Sequence, residues 1–397
     1  MIASLETRDK SVTRTLQGFF EKILDTGAAD AVLVPSRVSD SSFVKPCLFT
    51  RTGGLSRTLP LGPGFFVNAG PMVSRLTRTP GGGRMAVWLR PCETRAFVEL
   101  TKLRQGSRDG VILISMDCPM ALSREDYEAW AGKGPDTGTV EAWIRRVYQK
   151  TGSREPAGPE PGPPGTESGI GKWPVSRACQ VCDTPWPVNA DVSVLLLGSD
   201  LDRTISLRGD TEKGDAFLAG LELDAGREPE TRKTVMADLE TVHGSAFQAM
   251  DAAVQEQTHA MDRLAAFFSA CINCHNCRSV CPVCYCRECV FNTDALDHDP
   301  GQYLAWAGKW GQVPLPFDTL FYHLTRMAHI GCTCVGCGQC TLACPSHIPV
   351  ADLFISVSRA ARAAFDYVPG RDDAEPLPLS VFRESEFSDT VGMGEVP

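Results

Sequence analysis

The chain has 397 residues, 43% of them hydrophobic and 22% charged. That is enough to bury cores in two or three domain-sized units and too apolar for global disorder. A formal net charge of −9 excludes a general nucleic-acid binder, which carries a basic surplus. No apolar run approaches a spanning helix, and the first ten residues lack the apolar core of a secretory signal. The sequence therefore reads as cytoplasmic, with no membrane insertion. Against that background stand 17 cysteines. In a reducing compartment, cysteines at this density are metal ligands or redox groups rather than disulfide staples.

In chain order, residues 11–26 carry helical spacing, with Leu16, Phe19, Phe20, Ile23 and Leu24 on one stripe. Residues 29–35, 85–89, 110–115 and 191–197 are short apolar runs of strand length. A helical stretch at 94–105 separates two of them, which predicts at least one parallel crossover. Residues 152–171 contain eleven Pro or Gly in twenty positions, the composition of a linker or long surface loop. A long helical pattern covers 229–270, with a break expected at Gly244. Two further amphipathic helices are expected at 318–330 and 350–367. From Asp372 onward there are seven acidic residues and one basic residue, Arg383. This tail reads as disordered or as a docking arm, with Phe382 and Phe387 as apolar anchors.

Twelve cysteines fall between Cys271 and Cys344. Cys271, Cys274, Cys277 and Cys281, followed by Pro282, have the spacing C-x2-C-x2-C-x3-C. Cys334, Cys337, Cys340 and Cys344, followed by Pro345, repeat it. This is the bacterial two-cluster ferredoxin signature. Three closely spaced thiolates converge on one cubane, and the fourth reaches the other cluster. One 4Fe-4S cluster is thus assigned to Cys271, Cys274, Cys277 and Cys344, and a second to Cys334, Cys337, Cys340 and Cys281. Zinc sites more often show two separated pairs. Cys284, Cys286, Cys289 and Cys332 are left over. They are candidates for a further cluster, for zinc, or for packing, with His329 as a substitute for Cys332. His275 and His347 lie inside the ferredoxin loops.

The expected organisation is an α/β domain over residues 1–245, then a mainly helical domain over 246–371 holding the two-cluster module, then the tail over 372–397. In the first domain, Cys92 lies between a strand and a helix, Cys118 ends the next strand, and Cys179 and Cys182 form a CxxC. Two strand ends of one crossover unit share a sheet edge, so Cys92 and Cys118 are candidate neighbours.

The segment Arg90-Pro-Cys-Glu-Thr-Arg-Ala-Phe-Val-Glu-Leu100, with Asp117-Cys118 and Cys179-Gln-Val-Cys182, resembles the beta-subunit family of deazaflavin-coenzyme-dependent hydrogenases and dehydrogenases, formate dehydrogenase included. The resemblance covers roughly residues 28–200. It implies a third 4Fe-4S cluster held by Cys92, Cys118, Cys179 and Cys182. It also implies FAD, although no Gly-x-Gly-x-x-Gly fingerprint follows a strand. The appended module is similar to the dicluster subunits of heterodisulfide-reductase-linked complexes.

The expected role is an iron–sulfur electron-transfer subunit of a cytoplasmic oxidoreductase of anaerobic metabolism. It would relay electrons between a flavin, formate dehydrogenase or hydrogenase subunit and a heterodisulfide-reductase-like partner. The alternative is a flavin-containing catalytic subunit that reduces a deazaflavin or nicotinamide.

Overall fold

The computed structural model describes residues 1–38, 43–79, 81, 83–132, 136–148, 175–378 and 380–381. The Pro/Gly-rich loop at 152–171 and the anchors Phe382 and Phe387 lie outside the described residues.

The chain opens with strand β1 (Ile2–Glu6) and helix α1 (Val12–Asp25), whose N-cap Ser11 accepts from the Arg14 N–H. Strands β2 (Ala31–Arg37) and β3 (Val44–Phe49) and helix α2 (Gly70–Leu76) follow. Next come β4 (Met85–Leu89), α3 (Pro91–Lys102), β5 (Val111–Met116), α4 (Arg124–Ala131), α5 (Thr137–Tyr148) and α6 (Arg177–Gln180). Strands β6 (Val192–Leu195) and β7 (Thr204–Gly209), helix α7 (Glu212–Ala219) and strand β8 (Asp224–Ala225) complete this half.

These strands form one mixed sheet of eight, in the order β3-β2-β4-β5-β6-β7-β1-β8. Its centre is parallel: β2 pairs with β4, β4 with β5 and β5 with β6. The flanking pairs are antiparallel. Side-chain alternation gives the sheet two buried faces. Val32, Val34, Ala86, Trp88, Ile112 and Ile114 pack on the side of α1, against Leu16, Phe20 and Ile23. Leu33, Val87, Leu89, Val111 and Leu113 face α2 and α3 through Val73 and Phe97.

Everything after β8 is helical among the described residues: α8 (Arg232–Thr258), α9 (Met261–Phe267), α10 (Asn276–Ser279), α11 (Pro300–Trp310), α12 (Thr319–Ile330), α13 (Gln339–Leu342) and α14 (Val350–Phe365). Their core joins Met250, Val254, Phe268, Ile330, Val335, Leu353 and Phe354 to Ala96 of α3 and to Ala178 and Val181 near α6.

The structure corrects two sequence expectations. Gly244 does not break α8, which runs unbroken through it and ends at Thr258. A methyl group at Gly244 would meet nothing within 4 Å. The glycine therefore costs the helix only its propensity, about 1 kcal/mol. The dividing line drawn between residues 245 and 246 consequently falls inside one continuous helix. Helix α3 begins at Pro91 rather than Thr94, because proline suits the first helical position. The N–H of Arg90 just ahead donates to Glu93 Oε2 at 2.8 Å. Cys92 thus sits in a first turn, not in a connecting loop.

Candidate redox site

The two cysteine loops share one backbone. In the first, Asn273 (φ 50°) and His275 (φ 57°) are left-handed; in the second, Gly336 (φ 67°) and Gly338 (φ 76°) are. Counted from Cys271 and from Cys334, these are the same positions. Each loop then opens a four-residue helix, α10 or α13, and the two helices touch. Left-handed residues alternating with right-handed ones turn successive N–H groups toward one side, forming a cradle for anions. The hydrogen bonds agree: Asn273 donates its N–H to Cys271, and Gly336 donates its N–H to Cys334. One asparagine and one histidine hold the strained conformation in one loop that glycine adopts freely in the other.

Around the first loop, desolvation raises the Cys271 thiol, and the neighbouring Cys277, Cys344 and Cys274 thiols raise it further. Around the second, desolvation and the thiols of Cys281 and Cys334 raise Cys337, and desolvation and the thiols of Cys337, Cys281 and Cys334 raise Cys340. Cys281, Cys334, Cys337 and Cys340 line a single internal cavity, walled by Val335, Phe354 and Ile355. Each loop's last cysteine therefore stands among the first three of the other.

The N-terminal four also converge. The parallel pairing of β4 with β5 puts Cys92 and Cys118 at one sheet edge. Desolvation raises Cys92 well above its ordinary range, and Cys337, Cys118 and Cys182 add to the rise. Cys118 is pushed up to about 11 by desolvation, with Cys179 adding to it and Arg90 opposing it. Cys182 is likewise pushed up to about 11 by desolvation, against the pull of Arg95. A thiol so raised is a poor free nucleophile, whereas a bound metal removes its proton outright. Arg90 braces the site, donating to the carbonyls of Met120 and Gly62, both at 2.7 Å. Beside Cys118, the buried Asp117 accepts from the N–H groups of Leu196 and Leu197, each at 2.8 Å, and pairs with Arg232 through both carboxylate oxygens.

The three sets are contiguous. Cys277 and Cys340 belong to one side-chain cluster with Phe291 and Tyr322. Cys337 is within electrostatic reach of Cys92. Cys182 and Cys334 line one void with Arg95, Arg359 and Arg362. Asp183 pairs with the last two arginines, which with Arg95 hold its carboxyl well below the usual range against desolvation.

The spare cysteines do not assemble. Cys284, pushed up to about 11 by desolvation, has Cys281 and Cys286 as neighbours. Cys289 packs beside Phe291, and Cys332 instead faces Glu99 and Tyr367. His329 is exposed on α12. Among the described residues, no group of three or more His, Cys, Asp or Glu is drawn tightly enough to hold a single metal ion. Zinc binds four ligands at about 2.0–2.3 Å.

Sequence reasoning missed the polar residues that touch the thiols. His323 Nε2 lies 3.5 Å from Cys271 Sγ, the Tyr322 hydroxyl lies 3.4 Å from Cys277 Sγ, and Arg326 Nη1 donates to Cys277 Sγ at 3.1 Å. All three are on α12. The signal was present as Tyr322, Arg326 and Ile330, spaced four apart, which puts a charge on the buried stripe of a helix. His275, by contrast, stacks on Tyr322 at 4.5 Å and bonds Asn292.

A mixed α/β sheet with thiols gathered at its parallel edge, continuous with a helical unit carrying twin cysteine loops, defines the architecture. The chain is related along nearly its whole length to beta subunits of F420-dependent formate dehydrogenases, the family expected from the Arg90–Leu100 segment. It is 26% identical to the F420-dependent formate dehydrogenase subunit beta of Methanocaldococcus jannaschii, over 92% of this chain and 93% of that one. It is also 26% identical to the F420-dependent formate dehydrogenase 1 subunit beta of Methanococcus maripaludis, over 91% of each. A chain from a structure of the F420-reducing NiFe hydrogenase complex of Methanosarcina barkeri aligns at 12% identity, covering 66% of this chain and 94% of its own with a TM-score of 0.42. No family model matches the chain.

Proposed function

We propose that this chain is the iron–sulfur electron-transfer subunit of an oxidoreductase complex, with formate dehydrogenase, hydrogenase or other flavin-bearing subunits on one side and a heterodisulfide-reductase-type partner on the other. The observation that carries the reading is the repeated loop: the same left-handed positions and the same N–H to sulfur bonds at Cys271 and Cys334. The two formate dehydrogenase relatives support a redox subunit.

The donor sets fit 4Fe-4S clusters, which when bound take up and release single electrons. Cys271, Cys274, Cys277 and Cys344 would hold the first; Cys334, Cys337, Cys340 and Cys281 the second; Cys92, Cys118, Cys179 and Cys182 the third. The cavity bounded by Cys281, Cys334, Cys337 and Cys340 supports the second assignment. Backbone N–H groups from Asn273, Gly336, Gln339, Met120 and Thr184 donate to cysteine sulfurs and would offset the negative charge gathered there. Val335, Ile355 and Phe354 keep water from the middle of the chain of sites. Cys274, which is exposed, gives the first site a face toward a partner. Contiguity makes the order linear: first site, second site, N-terminal site.

The surface cleft beside Thr7, Asp9 and Glu222 also carries Arg8 and Lys22, and the cleft beside Gly198, Asp200 and Thr231 also carries Arg203 and Arg227. No strand leads into a glycine fingerprint, and FAD rests on the family resemblance alone.

The test is electron passage in the native complex, purified without oxygen. Reduction by the complex's own donor should bleach the iron–sulfur absorbance of this subunit, and its acceptor should restore it. Replacing Cys337 with Ser should stop passage at the middle site. Full activity of the isolated chain with a small-molecule donor and a deazaflavin or nicotinamide would favour the catalytic reading instead.

A further inference from the structure

Arg326 is 4% exposed on α12 and has no carboxylate partner among the described residues. Its Nη1 donates to Cys277 Sγ at 3.1 Å and its Nη2 to the Cys277 carbonyl at 3.2 Å. Its Nε has no hydrogen-bond partner among the described residues. The guanidinium lies over the rings of Phe354 (4.8 Å) and Tyr322 (5.7 Å). The same side chain lines the cavity bounded by Cys281, Cys334, Cys337 and Cys340. It is thus shared between the first and second cysteine sets.

A lone buried cation carries a desolvation cost of several kcal/mol unless anions compensate it. The anions within reach here are sulfurs. Placed between two groups that each gain negative charge on reduction, a fixed cation stabilises both reduced forms. A hydrogen bond to a ligand sulfur acts in the same direction.

We propose that Arg326 sets the reduction potentials of the first and second sites together, keeping both high and close to one another so that an electron moves between them without a barrier of potential. The inference rests on the iron–sulfur reading above. Tyr322 and His323 hydrogen-bond to Cys277 and Cys271, both of the first set, so their influence falls chiefly on the first site.

The test is a redox titration of the anaerobically purified native complex, followed by electron paramagnetic resonance, on wild type and on Arg326→Gln, Arg326→Lys and Tyr322→Phe. Iron and sulfide content are measured on each sample. Arg326→Gln should shift the reduction equilibrium of both sites toward the oxidised form by at least about tenfold, about 59 mV for one electron. Arg326→Lys should recover most of that shift, and Tyr322→Phe should move the first site alone. If the Gln variant does not assemble, the Lys and Phe variants carry the comparison: a Tyr322→Phe shift at both sites, or an Arg326→Lys shift at one site and not the other, overturns the proposal. Full iron content with unmoved potentials in Arg326→Gln rejects the role of Arg326 and leaves the relay standing. Absence of iron and sulfide from wild type rejects both.

Discussion

Arg95 and Val335 are 240 positions apart in sequence and are joined by a buried hydrogen bond, from Arg95 Nη2 to the Val335 carbonyl, at 2.9 Å. One lies a turn beyond Cys92 on α3, the other between Cys334 and Cys337. The bond therefore fixes the sheet edge against the second cysteine loop. Gln339 repeats the pattern, donating to the Phe65 carbonyl at 2.8 Å. The sheet and the helical unit are consequently one packed body at the point where their thiols meet.

Cross-linking between loops predicts a paired response. Cys277→Ser should deplete the first site and Cys337→Ser the second. Each loss should also destabilise the helical unit, because in the proposed assignment each of these two sets draws its fourth ligand from the other loop. Iron analysis and hydrogen exchange over α10 to α14 measure both effects. Unchanged iron in the two variants would show that these cysteines are not ligands.

The N-terminal set should be separable. Replacing Cys92 and Cys179 together with Ala should remove one site's iron and leave two paramagnetic signals on reduction. Retention of all the iron would make these thiols ordinary core residues.

Stability of the sheet edge should hinge on Asp117 and Arg232, 0% and 3% exposed at their side chains. Arg232→Met strands a buried carboxylate beside Cys118, and the expected loss is about 3–5 kcal/mol. Denaturant unfolding provides the value. A loss below about 1 kcal/mol would mean that the two backbone N–H groups suffice.

Asp136 supplies a pH-dependent contribution at the start of α5. The Thr139 hydroxyl and N–H donate to it at 2.6 and 2.7 Å and lower its pKa. An acid depressed in the folded state stabilises above its unfolded pKa, so the contribution is present above about pH 4. It is lost as the pH falls through the folded value. Asp136→Ala should cost about 0.5–2 kcal/mol at neutral pH and less at strongly acidic pH. An equal cost at both would show that charge plays no part.

Much of this was legible in the sequence because the signals are local. Cysteine spacing is a property of a dozen residues, and the parallel strands announce themselves as apolar runs such as Val111–Met116. The placement of Cys92 and Cys118 at one sheet edge follows from the parallel crossover. Other features depend on packing. Gly244 reads as a break, yet it sits in a helix held by Met250, Val254 and their partners on α14. Cys332 reads as a neighbour of Cys284, yet the fold turns it to Glu99 and Tyr367. The contact of Arg326 with Cys277 spans 49 positions, a distance over which no periodicity speaks.

The measurement that bears most directly on the central claim is iron and acid-labile sulfide per chain, taken on protein purified without oxygen. Three 4Fe-4S sites predict about twelve of each, with zinc absent. Zinc without sulfide, or a chain that holds its fold with neither metal nor sulfide, would contradict the account.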